Sequence, residues 1–310
     1  MHTLSIVIPV YKNQDSIPEL FQGLNELHNK NNFKLEVIFV VDGSPDQSAL
    51  VIDKEAKLYD FKTKLILLSR NFGSFSAIRA GLSKATGEFV GVMAADLQEP
   101  TSLMSDFYDA LKDGQSDIAV GVRTKREDSP LDKFMAESFW TLYKKFVQSE
   151  MPAGGVDVFA ANRKVIDKIN SLQEINSSLV GLLIWLGFRR VEVPYQRFKR
   201  PYGKSAWTFK KKLRYLTDSI FSFTDLPFRI MFLSGLIGIL ISIVIALTVI
   251  VAKIFGSITV PGYTATILIS LFFFGLNSVG LSILGGYLWR TFENSKGRPV
   301  YIILSENEYS

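Results

Sequence analysis

The chain has 310 residues, of which 47% are hydrophobic, a net charge of +5 and no cysteine. That length exceeds one ordinary domain and leaves room for a globular unit of roughly 220 residues plus a further element. The absence of cysteine fits a reducing compartment, and much of the basic surplus flanks apolar stretches, where anionic headgroups and phosphorylated small molecules are simpler partners than nucleic acid.

The N-terminal run MHTLSIVIPVYKN is strand-like, with no basic n-region and no cleavage site, so no signal peptide is read there and the globular part is expected to stay in the cytoplasm. Residues 1–122 alternate short apolar runs (Leu4–Val10, Leu35–Val41, Lys64–Leu68, Phe89–Ala94 and Asp117–Val122) with helix-like segments (Ser16–Leu27, Ser74–Ser83 and Thr101–Lys112). This rhythm predicts βαβ units and an α/β fold with a mostly parallel, Rossmann-like sheet covered on both faces. Ligands of such sheets bind at the carboxyl ends of the strands, where the sequence places Asp42, Asp96 and Arg123. Less regular sequence follows, with helices expected at Pro130–Val147 and Ser177–Leu186.

Lys204–Leu226 mixes Lys210, Lys211, Lys212 and Arg214 with Trp207, Phe209, Leu213 and Tyr215, a composition suited to a helix in a membrane interface or to an ordinary surface helix. Met231–Phe255 carries one charge, Lys253, and Tyr263–Trp289 carries none. Each is longer than the ~20 apolar residues that cross a bilayer as a helix, and two spans are expected. Basic residues crowd the outer flanks of the pair (Arg229 before; Arg290, Lys296 and Arg298 after) while Gly256–Gly262 has no charge, so both termini are expected on the cytoplasmic side.

Chemistry-bearing residues cluster after the strands. In Val41-Asp42-Gly43-Ser44-Pro45-Asp46 a carboxylate follows a buried strand, where it can accept hydrogen bonds from a base or ribose, although the same letters make an ordinary turn. In Ala94-Ala95-Asp96-Leu97-Gln98-Glu99-Pro100, Asp96 and Gln98 are two apart and can share one oxygen-ligated Mg²⁺ or Mn²⁺ that neutralises a diphosphate leaving group; alternatively Asp96 caps the next helix. Arg70 and Arg79 flank a helix start at Ser74 whose N–H groups can face phosphate, with a structural salt bridge as the other reading.

Taken together, Asp42-Gly43-Ser44 with Asp46, Arg70-Asn71-Phe72-Gly73, Asp96-Leu97-Gln98 and Arg200-Pro201-Tyr202-Gly203-Lys204-Ser205, followed by two apolar stretches, resemble the family 2 glycosyltransferases over nearly the whole chain. The closest subgroup is the polyprenyl-phosphate glycosyltransferases, relatives of dolichol-phosphate mannose synthase. The resemblance implies a glycosyltransferase A-type fold, a nucleotide-sugar donor, a polyprenyl phosphate acceptor such as undecaprenyl phosphate, inversion at the anomeric carbon, and homo-oligomers that share a membrane anchor; the donor is expected to be UDP-linked, with GDP and dTDP left open. By position it makes Pro9, Tyr11, Asp42 and Asp96 nucleotide-binding, Asp96 and Gln98 metal-binding, Arg123, Arg200, Lys204 and Ser205 contacts of the acceptor phosphate, and Asp96, Asp157, Arg123 and Arg200 the catalytic set. Two positions depart from the pattern: Ala94 stands where the family's D-x-D motif begins, and Asn13 where a glutamate often follows the tyrosine.

The expected organisation is a catalytic domain over residues 1–204, an interfacial segment over 205–228, a two-helix hairpin over 229–290 and a cytoplasmic tail over 291–310, located in a bacterial inner membrane. Two other activities stay open: extension of a lipid-linked glycan, and nucleotide-sugar binding without catalysis, the latter motivated by Ala94.

Overall fold

The structure is a computed structural model that describes residues 2–124, 141, 143–145, 147–152, 155–172, 178–202, 217–255 and 262–310. Its elements in chain order are β1 (Thr3–Val10), α1 (Ile17–Lys30), β2 (Lys34–Val41), α2 (Ser48–Glu55), β3 (Lys62–Leu68), α3 (Ser74–Lys84), β4 (Phe89–Val92), α4 (Leu103–Leu111), β5 (Ile118–Arg123), β6 (Phe159–Asn162), α5 (Arg163–Ser171), α6 (Leu179–Trp185), β7 (Arg190–Tyr195), α7 (Leu226–Ile254), α8 (Tyr263–Ser295) and β8 (Ile303–Tyr309). They form two compact units, Met1–Tyr215 with Pro299–Ser310, and Leu216–Arg298.

In the first unit the strands lie in the order β7-β5-β6-β4-β1-β2-β3-β8. β1 pairs in parallel with β2 and β4, β2 with β3 and β5 with β7, whereas β6 runs against β4 and β5, and β8 against β3. The α/β reading therefore holds. β1 and β2 are almost wholly apolar because both sheet faces are covered. Ile17, Leu20, Phe21, Leu24 and Leu27 repeat at helical spacing along α1 and are buried, with Phe21 stacked on Phe39 at 4.9 Å between ring centroids.

At the amino ends of the strands Glu36 is buried, 1% exposed, and accepts from Ser5 Oγ at 2.5 Å, Thr86 N at 2.8 Å and Thr86 Oγ1 at 2.8 Å, with Lys64 Nζ at 3.1 Å. This network ties β1, β2, β3 and the α3–β4 turn together.

The C-terminal stretch read from sequence as a tail is instead part of the sheet. β8 adds an antiparallel edge to β3, anchored by Lys62–Glu308 at 2.9 Å, Lys84–Glu306 at 2.5 Å and Tyr309 Oη donating to Asp53 at 2.5 Å. Its alternating charges pair with lysines of β3 and α3, which is how so polar a segment becomes a strand.

In the second unit α7 and α8 pack against each other; Gly238 lets Leu276 and Phe273 approach to within 3.1 and 3.2 Å of where a Cβ would stand, and Gly280 lies against Met231. Among the described residues Phe272–Ser295 is long and apolar enough to cross a membrane, and a short helix at Thr217–Phe223 meets Leu226–Gly238 at 83°. Arg290 of α8 holds Asp218 at 2.6 Å and lies over the Phe221 ring. Of the expected interfacial segment, residues 205–216 lie outside the described residues, as does most of the helix expected at Pro130–Val147.

Candidate active site

Every parallel strand presents its carboxyl end to the same edge of the sheet. Because β6 is antiparallel, with Phe159 opposite Val92 and Val120, Asp157 just before it reaches that edge too. Two groups of side chains assemble there.

The first surrounds Asp42, which follows β2 and is 2% exposed. Its carboxylate accepts from the main-chain N–H of Phe72 at 2.7 Å and of Gly73 at 2.8 Å, and its carbonyl accepts from Asn71 Nδ2 at 3.1 Å. Burial pushes the carboxyl above its ordinary range, opposed by those N–H donors and by Arg70. Gly43 has φ of +56°, and a Cβ there would stand 2.4 Å from the main chain of Arg70 and Asn71. Asp42-Gly43 and Arg70-Asn71-Phe72-Gly73, singled out separately in sequence, are therefore one interlocked pair of loops. Asp46 accepts from Ser44 Oγ at 2.6 Å, Ser48 Oγ at 2.9 Å and Gln14 N at 3.2 Å; burial raises its pKa, and these bonds outweigh burial and hold it below the usual range. Ser44 Oγ also accepts from Lys12 N at 2.8 Å. Asn13 closes a turn by accepting Tyr11 N at 3.1 Å, leaving the Tyr11 side chain 38% exposed beside the same edge. Pro9 sits within β1, opposite Val40. Arg79 donates to the Leu172 carbonyl, which supports the structural reading for that residue.

The second group forms around the β4–α4 loop. Asp96 Oδ1 accepts from Gln98 N at 3.2 Å, which closes a tight turn and places Leu97 at φ of +58°. A leucine there is strained by about 1–3 kcal/mol, a cost found most often at functional loops. Asp96 does not cap α4, whose first residue is Leu103. Its other oxygen pairs with Arg200, whose Nη2 is also 3.4 Å from Gln98 Oε1. Gln98 Oε1 accepts from Arg197 Nη2 at 2.7 Å, and Phe198 N donates to Gln98 O at 2.8 Å, so the segment after β7 is zipped onto this loop. Arg123, ending β5, pairs with Asp157. Glu99 lies beneath; burial first, then the Asp96 charge, push its carboxyl up to about 7 against Arg197, Arg123 and a hydrogen bond from Ala94 N. Burial and Glu99 likewise raise the Tyr195 hydroxyl, which Arg123 opposes.

The structure thus brings Asp96, Gln98, Arg123, Asp157 and Arg200 together, 104 residues separating Asp96 from Arg200, and adds Glu99, Tyr195 and Arg197, which sequence reasoning did not single out. Arg197 had a sequence signal: it lies two residues past a strand and three before Arg200. Lys204 and Ser205 lie outside the described residues.

Asp96 Oδ2 and Gln98 Oε1 converge on one guanidinium nitrogen, so a carboxylate and an amide oxygen already share a single cationic partner. Such hard oxygen donors fit Mg²⁺ or Mn²⁺, which bind through few protein oxygens when substrate phosphates supply the rest. Among the described residues no group of three His, Cys, Asp or Glu forms a closed metal cage.

A doubly covered, mostly parallel sheet with acids and arginines collected at its carboxyl edge is an α/β arrangement whose ligand edge is lined with charged groups. Sequence comparison makes the assignment specific: residues 5–169 match the model of glycosyl transferase family 2, and the chain belongs to that family, with its glycosyltransferase A-type fold. It is therefore a glycosyltransferase. It is 33% identical over 300 residues to the uncharacterized glycosyltransferase YkcC of Bacillus subtilis, covering 96% of this chain and 92% of that one. It is 29% identical to the prophage bactoprenol glucosyl transferase homolog of Escherichia coli (97% and 98% covered) and 29% identical to the undecaprenyl-phosphate 4-deoxy-4-formamido-L-arabinose transferase of Klebsiella pneumoniae (97% and 92% covered).

Proposed function

We propose that this glycosyltransferase moves a sugar from a nucleotide donor to a polyprenyl phosphate, inverting the anomeric carbon, at the cytoplasmic face of a bacterial membrane. The observation that carries the reading is the pairing of a divalent-cation-compatible loop, Asp96-Leu97-Gln98, with Arg197 and Arg200, with the Arg123–Asp157 pair at the same edge of the sheet. Such an edge can serve two phosphate centres at once, and relatives named for bactoprenol and undecaprenyl phosphate match the chain nearly end to end.

A phosphate monoester has a second pKa of about 6, so the acceptor is largely ionised near neutrality and needs positioning more than a base. Its oxygen forms a bond to the anomeric carbon as the bond to the nucleoside diphosphate breaks on the opposite face, and the diphosphate departs with the electron pair. Mg²⁺ or Mn²⁺, held by Asp96 and Gln98, supplies charge neutralisation at the diphosphate when bound. Arg123 and Arg200, with Lys204 and Ser205 completing the segment, hold the acceptor phosphate, since guanidinium forks match phosphate oxygens. Asp157 orients Arg123. Tyr11 and Pro9 border the nucleotide, and Asp42 enters through the loop it fastens. α7 and α8 serve as two spans, and copies associate through them.

Purified protein given labelled nucleotide sugars and undecaprenyl phosphate is expected to move label into the organic phase, to stop with a chelator and to resume with Mg²⁺ or Mn²⁺. Absence of a lipid-soluble product with every nucleotide sugar would remove the proposal. Gly43→Ala tests the nucleotide side: strain of about 1–3 kcal/mol displaces the Arg70–Gly73 loop, and nucleoside diphosphate affinity is expected to fall about tenfold or more. An unchanged Kd by calorimetry would place the nucleotide elsewhere.

A further inference from the structure

We propose, on the footing of that transferase reading, that Arg197 is a further phosphate-gripping residue of the site and that the buried Glu99 is the positioning residue that aims it. The case rests on how differently the arginines of this unit are bonded. Arg189 donates from Nε and Nη2 to Asp117 at 2.9 and 3.2 Å and from Nη2 to the Gly114 carbonyl at 2.8 Å, which commits it to a structural role. Arg163 is spent in the same way on the carbonyls of Ala85 and Gly87. Arg197 makes one close bond, Nη2 to the neutral Gln98 Oε1 at 2.7 Å. Its two carboxylate neighbours stand off, Asp157 at 3.9 Å from Nη1 and Glu99 at 3.9 Å from Nε.

Below it the Glu99 side chain is 2% exposed, and its Oε2 has no hydrogen-bond partner; neither has Arg197 Nε. Leaving a buried carboxyl oxygen and the buried Nε–H of a guanidinium without partners costs stability. Held open, the pair leaves the guanidinium beside the Glu99 carboxyl while its remaining N–H groups stay available to an anion. The arginine itself is 30% exposed, so an anion can reach it from the site edge. The group it fits is a phosphate oxygen, from either the donor diphosphate or the acceptor monophosphate.

The test uses the full chain in detergent. UDP, GDP and dTDP, each with Mg²⁺, are titrated calorimetrically into the wild type, as is farnesyl phosphate; the nucleotide that binds and farnesyl phosphate then serve as probes. Arg197→Gln is expected to raise the Kd of one probe tenfold or more and leave the other within twofold, which also tells the donor from the acceptor phosphate. Arg197→Lys keeps the charge without the fork and is expected to lose most of the same affinity. Glu99→Gln is expected to weaken the same probe about threefold to tenfold. A purely structural role would lower the melting temperature while both Kds stay within twofold of wild type in the folded variants, and that result overturns the assignment. Should Arg197→Gln fail to fold, Arg197→Lys decides by the same criterion. A wild type that binds none of the probes would instead sink the transferase reading.

Discussion

Asp96→Asn is expected to lower turnover about 100- to 1000-fold, the range typical of removing a group that stabilises developing charge, while the protein remains folded. Asp96 does two jobs with two oxygens. Oδ1 accepts the Gln98 N–H and closes the turn that holds Leu97 at positive φ, and Oδ2 pairs with Arg200. An asparagine keeps the shape and can still accept one bond, but it removes the negative charge that both Arg200 and a divalent cation require. Ala94 heightens the dependence, because no carboxylate two residues earlier can share the load. Initial rates with saturating donor and acceptor measure the effect, with circular dichroism as the control for folding. A variant within tenfold of wild type would show that the charge at the diphosphate is neutralised elsewhere. The apparent affinity for Mn²⁺ should weaken in parallel; an unchanged metal dependence together with lost turnover would assign Asp96 to arginine positioning alone.

Glu36→Ala is expected to have the largest effect on stability, about 3–5 kcal/mol. Removing this carboxylate leaves Lys64, only 7% exposed in its side chain, without its buried counter-ion, and strips Ser5 and Thr86 of their acceptor. For a unit of this size the loss corresponds to a melting temperature lower by on the order of 10 °C. The same network sets an acid limit. Burial raises the Glu36 pKa, but bonds from Ser5, Thr86 and Lys64 outweigh it and hold the folded value below the ordinary 4.5. The unfolded chain therefore binds the proton first, so this stabilisation is complete above about 4.5 and drains away as pH falls below it through the depressed folded value. Thermal melts across pH 3–6 should show the wild type losing more stability on acidification than Glu36→Gln does. Parallel curves would remove Glu36 from the acid response.

The strands that sequence revealed are those whose surroundings are uniform. β1 and β2 lie in the sheet interior with both faces covered, so nearly every side chain is apolar and the run stands out. β8 escaped because its fitness for the sheet is not its own: Ile303–Tyr309 is a polar alternation that becomes a strand only where Lys62 and Lys84 meet Glu308 and Glu306. β6 has four residues, and β7 leaves most of its length half-exposed or exposed, so neither offers a long apolar run.

The site divides along the same line. Asp96 and Arg123 were legible beside strand ends and Gln98 by its spacing from Asp96, whereas Asp157 and Arg200 were legible only through the resemblance of their short motifs to those of a family. Glu99 was not, since its significance lies in burial beside Arg197, a relation between segments about a hundred residues apart that no local pattern carries. Asp42 was legible as a strand-end acid, but its use was not. Its oxygens fasten the Phe72 and Gly73 amides, so the turn motif and the Arg70–Gly73 motif are one feature.

One measurement bears most directly on the sugar acceptor. Wild-type protein is given a labelled nucleotide sugar together with undecaprenyl phosphate and an undecaprenyl diphosphate-linked saccharide in equal amounts, and the lipid products are separated and weighed by mass spectrometry. A labelled lipid with a single phosphorus, one sugar heavier than undecaprenyl phosphate, is the expected result. Label confined to the diphosphate-linked saccharide, lengthened by one sugar, would contradict it.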